Sequence, residues 1–214
     1  MITADDALQR LREGNEQFAS GIGSAETFLR RVQRARTDFK QEPFAIIIGC
    51  SDSRVPVEIV FDQDLGDLFV IRVAGNIVSP SQLGSVEFAA AAFGTPLVVV
   101  LGHSNCGAVL GTLERLRRPA EARSPHMRFI AERIEPAVAG LLAPELGYDR
   151  ETLIRKSVKA NVRQSVAQLR KGSKILEELI EAGKLRVVGA EYSLATGRVE
   201  FLDDAVEAMR SRIA

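Results

Sequence analysis

Four short apolar segments, each rich in branched residues, interrupt an otherwise mixed sequence. They are AIIIGC at 45–50, LFVIRV at 68–73, LVVVLG at 97–102 and LRVVGAEY at 185–192. This pattern predicts four strands. Because their apolar residues are continuous rather than alternating, we expect both faces of each strand to be covered. The segments between the first three strands are long enough for crossovers. The sequence therefore predicts an α/β fold with a central, mainly parallel β-sheet flanked by helices.

Helical periodicity fills the segments around these strands. Residues 79–94 open with serine and proline and close on glycine, which is typical of a capped helix. A second helix is predicted over 149–171, and a shorter one ends at Gly183. The apolar stripe of the second helix consists of Ile154, Val158, Val162, Val166 and Leu169. We expect these helices to cover the sheet.

Two further helical patterns precede the first strand. One lies around Leu8, Leu11 and Phe18, and the other around Phe28, Val32 and Phe39. We interpret residues 1–42 as an N-terminal helical arm and residues 43–214 as the α/β domain of a single globular protein. The periodicity is compatible with two arrangements of the arm. It could pack on a partner subunit, or it could pack on the sheet of its own chain.

Charge and hydropathy exclude two classes of partner. The 28 basic residues balance the 28 acidic residues, and no basic block with interleaved aromatics is present, so we expect no nucleic acid partner. The amino terminus is polar, and no apolar run has the length of a bilayer span, so we expect no membrane partner and a cytoplasmic location.

Both cysteines and one of the two histidines follow predicted strands. Cys50 comes after the first strand, whereas His103 and Cys106 come after the third. The carboxyl ends of parallel strands share one edge of the sheet, so these side chains can converge there. Thiolate and imidazole groups are zinc ligands, and three of them leave an open position for catalysis. A buried hydrophobic role for the cysteines stays open, while a redox role lacks the usual CxxC pairing.

Asp52 and Arg54 alternate just beyond the first cysteine. Asp52 could close the metal site as a fourth ligand, or it could pair with Arg54 through two charge-assisted hydrogen bonds. The second arrangement leaves room for water. A plain structural salt bridge is the remaining alternative.

The motifs CSDSR at 50–54 and HSNCG at 103–107 resemble the β-class carbonic anhydrase family, and the likeness continues through 61–76 and 83–103. The resemblance implies Zn²⁺ held by Cys50, His103 and Cys106, with Asp52 and Arg54 as a catalytic dyad. It also implies a zinc lyase that reversibly hydrates carbon dioxide to bicarbonate and a proton by a zinc-bound hydroxide.

The same resemblance implies a substrate pocket containing Gln41, Phe69 and Gly107. In this family the pocket forms where two subunits meet, so a homodimer or a tetramer is implied. Some members bind inhibitory bicarbonate through a tryptophan, an arginine and a tyrosine. Arg72 and Tyr192 match two of these positions, but Ile47 stands at the third, and the chain contains no tryptophan.

This difference places the chain closer to the plant-like branch of the family. We expect the open arrangement, with Asp52 off the metal, at neutral pH. We also expect activity to rise with pH, because two thiolates offset the charge of the ion.

Alternative functions are hydrolysis of carbonyl sulfide or carbon disulfide, and a noncatalytic zinc-stabilised module. His126 follows Ser124 and Pro125, so a surface or capping position is favoured over a proton relay.

Overall fold

The computed structural model describes residues 2–21, 41–118 and 124–202. The strands in these ranges are β1 (Ala45–Gly49), β2 (Leu68–Arg72), β3 (Leu97–His103), β4 (Arg186–Tyr192) and β5 (Val199–Phe201). They form one sheet in the order β2-β1-β3-β4-β5. Neighbours among β1 to β4 are parallel, and β5 is antiparallel to β4. The predicted α/β fold with a mainly parallel sheet is confirmed. β5 is a short addition that the apolar pattern did not predict.

Helices cover both faces of the sheet, as expected from the continuous apolar strands. They are α1 (Ala4–Ala19), α2 (Val57–Val60), α3 (Pro80–Phe93), α4 (Gly107–Arg117), α5 (Pro125–Val138), α6 (Arg150–Lys171) and α7 (Lys174–Glu181). α1 packs on one face, and α3, α6 and α7 pack on the other. Within the described part of the chain, none of these helices combines the length and the hydropathy that a membrane span requires.

The first helix of the arm packs on its own sheet. Leu8 and Leu11 are buried in one apolar cluster with Ile47 of β1, so of the two positions left open for the arm, α1 takes the one on the same chain. The second helical pattern, around Val32, lies outside the described residues. The domain boundary at residue 42 therefore stays a prediction.

Helix α6 packs closely against the centre of the sheet because two strand residues there are glycines. A Cβ atom at Gly102 would lie 2.5 Å from Cγ2 of Val162, and one at Gly189 would lie 2.8 Å from Cγ1 of the same valine. Any larger residue at these positions would push the helix away. The inner face of α6 therefore lies directly against the carboxyl end of β3.

Candidate functional site

Cys50, His103 and Cys106 come together at the carboxyl edge of the sheet. Cys50 follows β1, His103 is the last residue of β3, and Cys106 is the N-cap of α4. β1 and β3 are paired neighbours, so two cysteines 56 residues apart in sequence have their Sγ atoms 4.0 Å apart. The three possible ligand atoms lie within 4.8 Å of one another, and all three residues are buried. The structure thus has the convergence that the strand ends predicted.

The His103 ring is oriented to bind through Nε2. Nδ1 lies 3.0 Å from the Ser104 carbonyl oxygen, to which it donates in the Nδ1-protonated tautomer. Nε2 is buried and has no hydrogen-bond partner among the residues the structure describes. A buried polar atom without a partner is costly. A metal ion held by Nε2 and the two thiolates would satisfy it.

The two cysteines are coupled through a hydrogen bond between their sulfur atoms, which lie 4.0 Å apart. A hydrogen bond from Cys106 lowers the pKa of Cys50 far below that of a free thiol, and the Gly75 backbone contributes in the same direction against the effect of burial. The same bond between the cysteines, together with burial, raises the pKa of Cys106. A thiol must be deprotonated to bind a metal ion, so metal binding here is expected to compete with protons.

The donor set and its spacing fit zinc. Tetrahedral zinc with bonds of about 2.3 Å to sulfur separates two thiolate ligands by about 3.8 Å. The observed separation of 4.0 Å is close to this value. Three protein ligands leave one position free, which is the arrangement of catalytic zinc sites.

Asp52 lies beside this cluster and is bound to Arg54. The guanidinium donates from Nε to Oδ1 at 2.9 Å and from Nη2 to Oδ2 at 2.8 Å, and the Arg54 backbone N–H adds a bond of 3.0 Å to Oδ1. These bonds hold the pKa of Asp52 well below its usual range. Oδ2 also lies 3.8 Å from Nε2 of His103. Of the two arrangements left open for Asp52, the structure has the pair with Arg54.

Two further residues fix the loop that carries Cys50. Arg72, at the end of β2, donates from Nε to the Cys50 carbonyl at 3.0 Å and from Nη2 to the Asp52 carbonyl at 2.6 Å. The Gly75 N–H donates to Cys50 Sγ at 3.4 Å. Motif spacing does not predict these contacts. Only the pairing of Gly49 with Arg72 in the strand register would have indicated the first.

Arg72, Tyr192 and Ile47, which stand at the positions of the family's inhibitory bicarbonate site, make other contacts in this structure. Arg72 binds the loop carbonyls, and Ile47 is fully buried in β1. Tyr192 is buried at the end of β4, and its ring packs against Phe18 with centroids 6.4 Å apart. The absence of the tryptophan therefore remains the one difference from the bicarbonate-regulated branch that the sequence identifies.

The predicted pocket residues lie in different places within one chain. Gly107 is the first residue of α4, next to Cys106, and borders a groove of about 1110 Å³ between α4 and α5. Phe69 lies on β2 and packs against Phe88 and Phe93 of α3. Gln41 precedes β1, at the end of the strand opposite Cys50. Of these three residues, only Gly107 adjoins the candidate metal ligands of its own chain.

His126 lies on the surface, as the sequence favoured. It is the second residue of α5 and is exposed. The hydroxyl of Ser124 caps this helix by accepting a hydrogen bond from the Met127 backbone N–H at 3.2 Å.

The comparisons agree with this geometry. The family model described as carbonic anhydrase matches residues 45–199. The carbonic anhydrase of Mycolicibacterium smegmatis is 39% identical over 196 residues, which cover 91% of each chain. The solved β-carbonic anhydrase CcaA has a TM-score of 0.74 at 28% identity and covers 93% of this chain and 96% of its own.

A tetrameric β-carbonic anhydrase from the filamentous ascomycete Sordaria macrospora has a TM-score of 0.70 at 25% identity. The match covers 87% of this chain and 97% of that one. The chain therefore belongs to the β-carbonic anhydrase family and acts on carbon dioxide and bicarbonate as a carbonic anhydrase.

Proposed function

We propose that Cys50, His103 and Cys106 bind Zn²⁺ and that the chain uses this ion for the reversible hydration of carbon dioxide. The observation that carries the proposal is the cluster itself, in which two sulfur atoms and one nitrogen lie within 4.8 Å of one another in a buried site. When bound, zinc acidifies water and so makes a nucleophile available near neutral pH.

Asp52 and Arg54 orient the reacting water in this proposal. The Asp52 carboxylate can accept a hydrogen bond from water beside His103, because Oδ2 lies 3.8 Å from Nε2. This bond directs a lone pair of the water oxygen towards the carbon of the substrate. Arg54 holds the carboxylate away from the ligands through two parallel bonds.

The direct test measures zinc content and carbon dioxide hydration on the same preparation of the wild-type chain. We expect one zinc per chain, and stopped-flow hydration that accelerates from mildly acidic to alkaline pH. Two thiolates reduce the positive charge at the site, which leaves the water less acidic than three neutral ligands would. A rate that is flat across this range would contradict the proposed water chemistry.

Two other results would replace the proposal. A full complement of zinc without hydration would indicate a noncatalytic zinc module. Hydrolysis of carbonyl sulfide or carbon disulfide that exceeds hydration would indicate the related hydrolase. The pair between Asp52 and Arg54 argues against a permanently closed site, because it keeps the carboxylate off the fourth position.

We further propose that a second copy of the chain completes the substrate pocket. Within one chain, Gln41 and Cys50 lie at opposite ends of β1, and five strand residues span roughly 16 Å. Gln41 and Phe93 border the same cavity, of about 520 Å³. Phe93 also packs with Phe69 and with Phe88, which is 56% exposed. An exposed aromatic patch of this kind is typical of an interface.

Subunit mixing tests this arrangement. Gln41→Leu and His103→Ala should each be nearly inactive, with a loss of roughly 100-fold expected for the missing Gln41 donor. A heterodimer of the two variants has two sites. One combines the intact metal ligands of the Gln41→Leu chain with the intact Gln41 of the His103→Ala chain, and the other lacks both. Random reassortment of a twofold dimer should therefore restore about a quarter of the wild-type sites, measured as hydration rate after co-refolding.

The matched control mixes His103→Ala with Cys106→Ser, which both lack a metal ligand. This mixture should recover nothing, since no combination contains an intact ligand set. If the Gln41→Leu mixture shows only the average of its parents, Gln41 does not act across subunits.

A further inference from the structure

The inner face of α6 carries three buried polar residues among its apolar ones. Ser157, Asn161 and Ser165 recur every fourth position and are at most 2% exposed. Two of them bind the same short backbone turn, Ala74–Asn76. The Asn161 Nδ2 donates to the Gly75 carbonyl at 2.8 Å, and the Ser165 hydroxyl donates to the Asn76 carbonyl at 3.0 Å. The third, Ser157, has no hydrogen-bond partner among the described residues.

The turn that these residues bind has an unusual conformation. Gly75 has φ 71° and Asn76 has φ 44°, so two consecutive residues adopt the left-handed region. An asparagine there is strained unless its surroundings stabilise it. Gly75 cannot be replaced without a clash, because a Cβ atom would lie 2.8 Å from Cδ1 of Ile134 and 3.0 Å from Cβ of Ala108.

This conformation points the Gly75 N–H at the candidate metal centre. It donates to Cys50 Sγ at 3.4 Å, in a fully buried environment. The carbonyls of Gly75 and Asn76 face the opposite side, towards α6. A buried carbonyl without a donor is costly, so Asn161 and Ser165 favour the orientation of the turn that aims the N–H at sulfur.

We propose that Asn161 and Ser165 are positioning residues for the metal centre, acting through the Ala74–Asn76 turn on the Cys50 thiolate. This inference rests on the proposed zinc site. An N–H bond to a thiolate stabilises the sulfur lone pairs, which limits electron donation from sulfur to the ion. Losing the bond raises the energy of these lone pairs, which sets the charge-transfer absorption. It also frees the thiolate from the orientation that binds the ion, and we expect this loss of orientation to outweigh the stronger donation and to weaken binding.

Three substitutions on one helix test the proposal. Asn161→Leu removes the donor to Gly75 and keeps the same branching and number of heavy atoms, and Ser165→Ala removes the donor to Asn76. Ser157→Ala is the matched control, because it deletes the same hydroxyl group from the same buried face without touching the turn. The probes are zinc itself, with affinity measured by competition with a chelating dye, and cobalt(II), measured by absorption of the sulfur-to-metal charge-transfer band.

We expect Asn161→Leu to weaken zinc binding by roughly 10-fold, the lower end of the effect of losing an outer contact. Its charge-transfer band should move to longer wavelength, because electrons leave a less stabilised sulfur more easily. Ser165→Ala should shift both quantities in the same direction by less, and Ser157→Ala should match the wild type.

The outcomes separate this inference from the function on which it rests. Wild-type affinity and an unshifted band in both Asn161→Leu and Ser165→Ala would overturn the inference while leaving the zinc site intact. An equal shift in Ser157→Ala would also overturn it, since any loss of polarity on α6 would then suffice. A wild-type chain that binds neither ion would instead refute the proposed function. If Asn161→Leu does not fold, the two serine variants decide.

Discussion

Replacing His103 with alanine is expected to abolish both zinc uptake and carbon dioxide hydration. The imidazole supplies the one nitrogen among the three candidate ligands, and its Nε2 is buried beside both sulfur atoms. Two thiolates alone cannot hold the ion in a three-ligand catalytic site. The variant should lose most of an acceleration that in enzymes is on the order of a million-fold or more. Metal analysis and stopped-flow hydration on the same sample measure both effects.

The chain provides its own control for this substitution. Its other histidine, His126, is exposed near the start of α5, so His126→Ala should keep both zinc and rate. Circular dichroism checks that His103→Ala still folds, because the residue lies at the end of a buried strand. Full zinc content together with the wild-type rate in His103→Ala would show that the cluster is not the metal site.

The sequence predicted the parts of this site that depend on strands. Continuous apolar runs identified β1 and β3, and polar residues at strand ends placed Cys50 and His103 at one edge. It did not predict the contacts from Arg72 and Gly75 to the loop, because these depend on backbone groups that no side-chain pattern marks. The sequence pattern also did not identify Asn161 as a buried residue. A polar residue in an amphipathic helix is normally assigned to the solvent-exposed face.

Residues that act between chains were also beyond the reach of the apolar pattern. Only the family resemblance assigned Gln41 and Phe69 to a pocket, and one chain places neither of them beside Cys50. The short strand β5 escaped prediction because three residues carry too little periodicity. The sequence therefore predicted the strands and the residues at their ends. It did not predict how backbone segments contact one another or which residues meet between subunits.

Asp52→Asn is expected to keep zinc and to lower the hydration rate by roughly 100-fold, the lower end of the contribution of a positioned acid or base. Zinc stays because Asp52 is paired with Arg54 rather than placed among the ligands. The rate falls because an amide has only one acceptor oxygen. If that oxygen keeps a bond with Arg54, the amide NH₂ faces the water and cannot accept its hydrogen bond. Metal analysis and stopped-flow kinetics measure the two quantities.

The matched control is Asp67→Asn, which removes the charge from another aspartate–arginine pair, with Arg10 at 2.5 Å, away from the cluster. This variant should keep the wild-type rate. Loss of zinc in Asp52→Asn would show that Asp52 is a metal ligand, and an unchanged rate would remove it from the catalytic machinery.

The pH profile distinguishes two roles for Arg54. Its bonds hold the pKa of Asp52 well below the usual range, so Asp52 is ionised throughout a neutral to alkaline assay. Arg54→Gln should let that pKa rise towards its ordinary value of about 3.9, which is still below the assay range. We therefore expect a lower rate with an unchanged pH midpoint, because Asp52 stays charged but is no longer held in place. A midpoint that moves would instead mean that Arg54 acts on the acidity of the reacting water.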